Sequence, residues 1–186
     1  MTEITEKTAK LPEAAERFVL HWGDMGGQWG VNRSISQIHA LLYVSERPRT
    51  ADDIAAALGL ARSNVSTSIR QLLAWNLIRR VPVKGDRREH FEAETDVWEI
   101  AMRIAAIRKE REIDPAVDTL RACVADAERD PKLHPVVHKR LNDMLAFVQT
   151  LDRWYMQMLT VPKPKLAALI RLGARIVGFI PFAKQK

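Results

Sequence analysis

The chain has 186 residues, 47% apolar and 28% charged, enough to bury one ordinary core and too apolar for a disordered chain. A formal net charge of +6 favours an acidic partner, nucleic acid or an anionic membrane, because both reward clustered cations. One cysteine, Cys123, excludes an internal disulfide, and a start carrying Glu3, Glu6, Glu13 and Glu16 is unlike a secretory leader; with no apolar run of membrane-spanning length, a soluble cytoplasmic protein is expected.

Residues 1–33 open with a polar lead. Pro12 is placed to start a helix in which Phe18, Trp22, Met25 and Trp29 step by 4, 3 and 4 and so share a face. Gly23, Gly26, Gly27 and Gly30 predict a weak or broken helix, since an interior glycine costs about 1 kcal/mol relative to alanine. Such a segment needs partners, and it is assigned to a dimerisation region.

Residues 34–96 carry the densest pattern. Ser34 or Ser36 is placed to cap a helix buried through Ile38, Leu41, Leu42 and Val44, with Pro48 as its stop. Thr50 and Asp53 form a capping-box-like start, Ile54 and Leu58 supply an inner face, and Gly59 permits a sharp turn. A second helix from about Arg62 to Trp75 buries Val65, Ile69, Leu72 and Leu73 and leaves Arg62, Ser63, Asn64, Ser66, Thr67, Arg70 and Gln71 outside. Two short helices with a tight turn make a helix-turn-helix, whose second helix enters the DNA major groove. The period then changes: Val81 and Val83, a Lys84-Gly85-Asp86 turn, and Phe91 alternating with Ala93 predict a two-stranded hairpin, a wing. From Arg62 to His90 there are seven bases against two acids.

Residues 97–160 are helical again and reverse the charge, with eleven acids and six bases from Phe91 to Asp130, which argues against DNA contact there. One helix over about Val97–Ile113 carries Trp98, Met102, Ile104, Ala105 and Ile107. Asp114 and Pro115 read as an N-cap and first position of the next, and Pro135 starts another. In that last helix Val137, Leu141, Met144, Val148, Leu151, Tyr155 and Met158 alternate steps of 4 and 3, a heptad seam that packs lengthwise on another helix, in an intramolecular bundle or, as we expect, a dimer. Residues 161–186 read as a basic amphipathic helix: Arg171 and Arg175 lie opposite Leu166, Leu169, Ile170, Leu172, Ile176, Val177 and Ile180. Its wide apolar face suits a dimer interface better than a membrane surface.

The fold class is therefore mainly α, a winged helix-turn-helix with a small two-stranded wing and flanking dimerisation helices. Its arrangement from about Phe18 to Leu120 resembles the MarR superfamily, and the run RSNVSTSIRQLLAWNLIRRVPVKGDRREHFEAETDVW is similar to the GbsR branch. The family's Asp-x-Arg of the wing matches Asp86 and Arg88, and its later threonine matches Thr95; the leucine usual before that threonine is Glu94 here. The resemblance implies a dimeric transcription regulator, usually a repressor, released by a small molecule, which in the GbsR branch includes choline and related osmoprotectants.

Ser63, Asn64, Ser66, Thr67 and Arg70 are placed to meet base edges or phosphates, Asn suiting adenine and Arg guanine. Arg62 and Lys84 add cations, and Arg87 and Arg88 reach the minor groove or its phosphates with Asp86 orienting Arg88. A quaternary ammonium effector needs aromatic faces, for which Trp22, Trp29, Trp98, Trp154 and Tyr155 are the candidates; core packing explains the same rings. His134 and His138 lack a third metal ligand, no cofactor is expected, and no phosphate loop, nucleophile elbow or metal signature suggests an enzyme. The rival reading is a winged-helix module for protein contacts or, through its tail, for a membrane surface.

Overall fold

Helix α2 (Arg33–Tyr43) is the hub of the N-terminal part of the computed structural model, which describes residues 11–173 and 175. Two compact units divide the chain, Met1–Arg103 and Ile104–Lys186, each with its own packing. In the first, the whole run Ile35–Leu42 of α2 is buried, because α1 (Glu13–Gln28) covers one side and α4 (Arg62–Ala74) another. The α2 cap is Asn32, whose side chain accepts the Ser34 amide at 2.8 Å, where Ser34 or Ser36 had been expected to cap.

Ser36 is instead buried against α1. That helix is continuous despite its glycines, and its inner face is Val19, Gly23 and Gly26. A Cβ at Gly26 would stand 1.9 Å from Ser36 Oγ, and one at Gly23 2.4 Å from Gln37 Cγ. The two glycines therefore let α1 and α2 approach more closely than side chains would allow, and the helix-propensity cost is offset by packing. The bulky residues expected on that face are displaced to its flank: Phe18, Trp22 and Met25 are half-buried, and Trp29 is 52% exposed.

Strand β1 (Arg49–Thr50) leads into α3 (Ala51–Leu58). The capping box is formed, Asp53 N–H donating to Thr50 Oγ1 at 3.2 Å and Thr50 N–H to Asp53 Oδ2 at 3.0 Å. Gly59 (φ 63°) ends α3 in the left-handed region. Helix α4 buries Val65, Ser68, Ile69 and Leu72, with Leu73 half-buried. It ends in a Schellman arrangement with Asn76 at φ 56°, Leu77 N–H donating to Leu72 O and Asn76 N–H to Leu73 O, both at 3.0 Å.

The wing strands are β2 (Ile78–Val83) and β3 (Asp86–Ala93), with Gly85 (φ 87°) in the turn. The sheet has three strands, order β1-β3-β2, all antiparallel, not the two expected. Arg49 pairs with Phe91 and Thr50 with His90. A two-residue strand has no periodicity to read. The β2 register breaks between Val81 and Val83, where Pro82 has no amide to donate. Phe91 and Ala93 are buried as expected, and so is His90.

Helix α5 (Val97–Arg108) starts under the Asp96 carboxylate, which accepts from Trp98 N–H at 2.9 Å and Glu99 N–H at 3.2 Å. Its buried residue in the first unit is Ile100, and Trp98 is exposed. In the second unit the helix does not stop at residue 113. It passes through a π-helical turn, Lys109–Ile113, into α6 (Asp114–Arg129). Asp114 is thus not a cap; with Asp152 at 3.0 Å it flanks the Lys109 ammonium, which both carboxylates hold in its charged form. Pro115 cannot donate to the fourth residue before it, and widening the turn ahead of it accommodates that loss.

Val117 and Val124 are the buried residues of α6, which packs on α7 (Pro135–Thr160). No α7 residue is buried, and the expected seam splits. Leu141, Val148 and Tyr155 are half-buried, the Tyr155 hydroxyl donating to Ala105 O at 2.9 Å, whereas Val137, Met144 and Leu151 are exposed. Helix α8 (Lys163–Leu172) ends at Gly173 (φ 49°), sooner than the tail pattern suggested; Ile176, Val177 and Ile180 lie outside the described residues. Among the described residues no helix is long and apolar enough to cross a membrane, and Cys123 is exposed and unpaired to another cysteine.

Candidate nucleic-acid interface

Burial of Val65, Ser68, Ile69 and Leu72 fixes which side of α4 meets solvent, and Arg62, Ser63, Ser66, Thr67 and Arg70 are on it. Thr67 Oγ1 accepts from Arg70 Nη2 at 3.3 Å. Asn64 is turned further in: its Nδ2 donates to Ser34 Oγ at 2.9 Å and its Oδ1 accepts from Ser68 Oγ at 3.3 Å. The amide expected to face a base thus ties α4 to the residue that opens α2.

On the wing, Lys84, Arg87 and Arg88 are exposed. The Asp86 carboxylate accepts Arg88 Nε at 3.0 and 2.9 Å, Arg88 Nη2, and the Arg88 backbone amide at 2.9 Å. These bonds, the side-chain ones first, hold the Asp86 carboxyl down at about 2, and they raise the Arg88 guanidinium in turn. His90 adds a second neighbour, its Nε2 3.4 Å from Asp86 Oδ2 and its Nδ1 2.9 Å from Arg88 O.

The wing and α4 share one open groove of about 470 Å³, lined among others by Asp52, Arg62, Ser66, Arg70, Arg80 and Arg88. Four guanidinium groups thus converge on one concavity. Arg62 is 3.0 Å from Asp52 and Arg80 is 2.8 Å from Glu89, whereas Arg70, Lys84 and Arg87 have no acid within salt-bridge distance among the described residues. Of the expected residues, the groove gathers Arg62, Ser66, Arg70 and Arg88. Arg80 and Asp52 were not singled out in the sequence; Arg80 was legible only as part of the charge excess, and its place on the groove depends on the strand register.

Glu94, where a leucine was expected, accepts the Thr95 and Asp96 amides at 2.9 and 3.1 Å and lies 3.3 Å from Arg103 Nη2. Arg103 also meets Glu99 at 2.8 Å and donates to Asn76 O. A polar clasp therefore joins the sheet's end to α5.

Three of the candidate effector aromatics have ring partners. Trp22 stacks on Phe18 at 5.4 Å, and Trp154 meets Tyr155 edge-on at 6.3 Å. Trp29 follows the last turn of α1, and Trp98 lies in the first turn of α5. His134 caps α7, its Nδ1 accepting the Val136 amide at 3.2 Å, and Asn142 Nδ2 donates to His138 O at 3.0 Å. Among the described residues no three His, Cys, Asp or Glu side chains are grouped to hold a metal.

The MarR family model matches residues 29–89. The chain is 20% identical over 152 residues, 77% of its length and 86% of that protein's, to YvaV of Bacillus subtilis (strain 168), named as an HTH-type transcriptional regulator. It is 23% identical over 101 residues, 54% of its length and 56% of that protein's, to the HTH-type transcriptional repressor GbsR of the same organism. A crystal structure of a transcriptional regulator superposes with a TM-score of 0.59 at 20% identity, covering 78% of this chain and 95% of that one, and so shares the winged-helix fold. The residues matched by the MarR family model, 29–89, are those that carry the helix-turn-helix and most of the wing.

Proposed function

We propose that this chain is a cytoplasmic DNA-binding transcriptional regulator of the GbsR-like branch, a repressor that reads a pseudo-palindromic operator as a homodimer. In this reading α4 enters the major groove and the β2–β3 turn meets the minor groove. The observation that carries it is the groove shared by Ser66 and Arg70 of α4 and Arg88 of the wing, with Arg88 held by Asp86. Phosphate binding needs cations on a fixed frame, and base reading needs short polar side chains beside them. Arg62, Arg70, Lys84, Arg87 and Arg88 serve the first need, and Ser63, Ser66 and Thr67 the second, while Asn64 supports α4 from behind.

The dimer reading draws on α7, where Val137, Met144, Phe147, Leu151 and Trp154 are exposed along one stripe, Phe147 60% and Trp154 55%. Their spacing is that of a coiled-coil seam, and a contiguous apolar stripe of this kind suits a protein interface. A quaternary ammonium effector held by some of Trp22, Trp29, Trp98, Trp154 and Tyr155 rests on the branch resemblance and on the affinity of cations for ring faces.

Selection of genomic DNA fragments on the immobilised protein tests the reading. Enrichment of fragments sharing an inverted repeat with half-sites about one helical turn apart is expected. Recovery of no sequence above the input would overturn it.

A further inference from the structure

We propose that His90 is a positioning residue for the Asp86–Arg88 pair and that operator binding takes up a proton on its imidazole. The inference rests on the reading of α4 and the wing as a DNA-binding face, and adds a control to it.

The period of a strand brings the three side chains together, since residues 86, 88 and 90 alternate onto one side of β3. His90, at the inner end of the row, is buried, while Arg88 at its middle is exposed. Two contacts orient the ring. Nδ1 lies 2.9 Å from Arg88 O, and because a carbonyl oxygen only accepts, Nδ1 carries a hydrogen. Nε2 lies 3.4 Å from Asp86 Oδ2. That oxygen is also only an acceptor, because the bonds from Arg88 hold the Asp86 carboxyl at about 2 and so keep it ionised. A neutral imidazole has a single N–H; with Nδ1 committed, its Nε2 turns a lone pair toward an anion. The imidazolium instead donates from both nitrogens and meets an acceptor at each.

Charge balance gives the proton its effect. Asp86 neutralises Arg88, so the pair fixes a direction for phosphate contact without adding net charge. Protonated His90 leaves the group of three with a net positive charge beside the groove. A phosphate backbone binds that form more tightly, and by reciprocity its binding favours protonation.

Among the described residues, Asp86 is the carboxylate within salt-bridge distance of His90. Across the sheet His90 is opposite Thr50 on β1 and Val81 on β2, both uncharged. The charged groups of the elements packed against β3 have partners of their own: Arg49 donates to Ser45, Asp53 bonds Thr50, Asp52 pairs with Arg62, and Arg79 and Arg80 pair with Glu92 and Glu89. On α2, Arg33 pairs with Asp24, the Tyr43 ring lies beside Phe18, and burial lowers His39 to about 4, so that it stays neutral at higher pH.

A labelled duplex of the most enriched genomic fragment, titrated with the full chain at constant ionic strength across the neutral pH range, tests the proposal. Affinity is expected to rise at least about threefold from about pH 8 to about pH 6. Calorimetry in two buffers of different ionisation heat is expected to show uptake of up to about one proton per chain. His90→Gln, neutral at every pH, is expected to flatten the profile and abolish the uptake, whereas His21→Gln, exposed on α1, keeps both. Circular dichroism checks that the variants are folded, and His90→Asn repeats the test if His90→Gln is not. The proton uptake of the unaltered chain is read without any variant. DNA binding with a flat profile and no proton uptake overturns the proposal alone, and so does a profile that persists in folded His90→Gln. Failure to bind DNA at every pH overturns the regulator reading and the proposal with it.

Discussion

The Arg88 guanidinium and the Arg88 backbone amide both donate to one carboxylate, that of Asp86, with Nε at 3.0 and 2.9 Å and the amide at 2.9 Å. An exposed arginine ordinarily samples many rotamers and loses that freedom on binding a phosphate. Here the local chain has already restricted it. Asp86→Asn removes the charge-assisted bonds and is expected to weaken operator binding roughly tenfold, with the folded spectrum unchanged. In an Arg88→Ala background the same substitution is expected to add nothing, which fluorescence anisotropy of labelled operator reads as a double-mutant cycle. Because the Asp86 carboxyl is held at about 2, this contribution persists down to mildly acid pH.

Gly26 and Gly27 are neighbours with opposite surroundings. A Cβ at Gly26 meets Ser36 Oγ at 1.9 Å, while one at Gly27 meets nothing within 4 Å. Gly26→Ala is expected to destabilise the fold by about 1–3 kcal/mol through overpacking. Gly27→Ala is expected to be neutral or to stabilise by up to about 1 kcal/mol through helix propensity. Thermal midpoints of the two variants check the ordering, and equal shifts would contradict it.

His39 lies within the buried run of α2, and its Nε2 has no hydrogen-bond partner among the described residues. Burial lowers it from 6.5 to about 4. The unfolded chain therefore takes up a proton near 6.5 while the folded chain resists until about 4, so stability is full above 6.5 and declines as pH falls through that window, by up to about 3 kcal/mol. His39→Leu removes the titration. Urea midpoints at about pH 7 and about pH 4.5 are expected to differ less in the variant than in the unaltered chain.

Asn64 and Ser34 join α4 to the start of α2 through a 2.9 Å bond. Ser34→Ala and Asn64→Ala are each expected to destabilise by about 1 kcal/mol and to couple in a double-mutant cycle. Against a panel of operator base changes, Asn64→Ala is expected to lower affinity uniformly. A change of preference at a single base pair would show that Asn64 reads DNA directly.

Local signals were readable wherever a residue acts on its own neighbours. Thr50 with Asp53, Gly59, the alternation of Phe91 and Ala93, and the Asp86–Arg88 pair all work within a few positions, and the helix-turn-helix and wing follow from them. What was not readable depends on partners distant in sequence. Gly23 and Gly26 look like helix breakers until Ser36 and Gln37 are opposite them. Strand β1 exists only because β3 pairs with it. Asp114 and Pro115 spell a new helix start, yet the Lys109 contacts with Asp114 and Asp152 accompany a continuous helix. The heptad pattern of α7 was real as a period but stood for two faces, one against α6 and one exposed. The groove itself, with Arg80 beside Arg70 and Arg88, required the strand register.

The salt dependence of operator affinity tests the central claim most directly. Each phosphate-binding arginine releases counterions, so a plot of log affinity against log salt steepens by about one unit per contact. For the unaltered chain a steep negative slope is expected, and Arg70→Ala/Arg88→Ala should be shallower by about two units and weaker at every salt concentration. An unchanged slope and affinity in the double variant would contradict the assignment of this groove as the DNA-binding face.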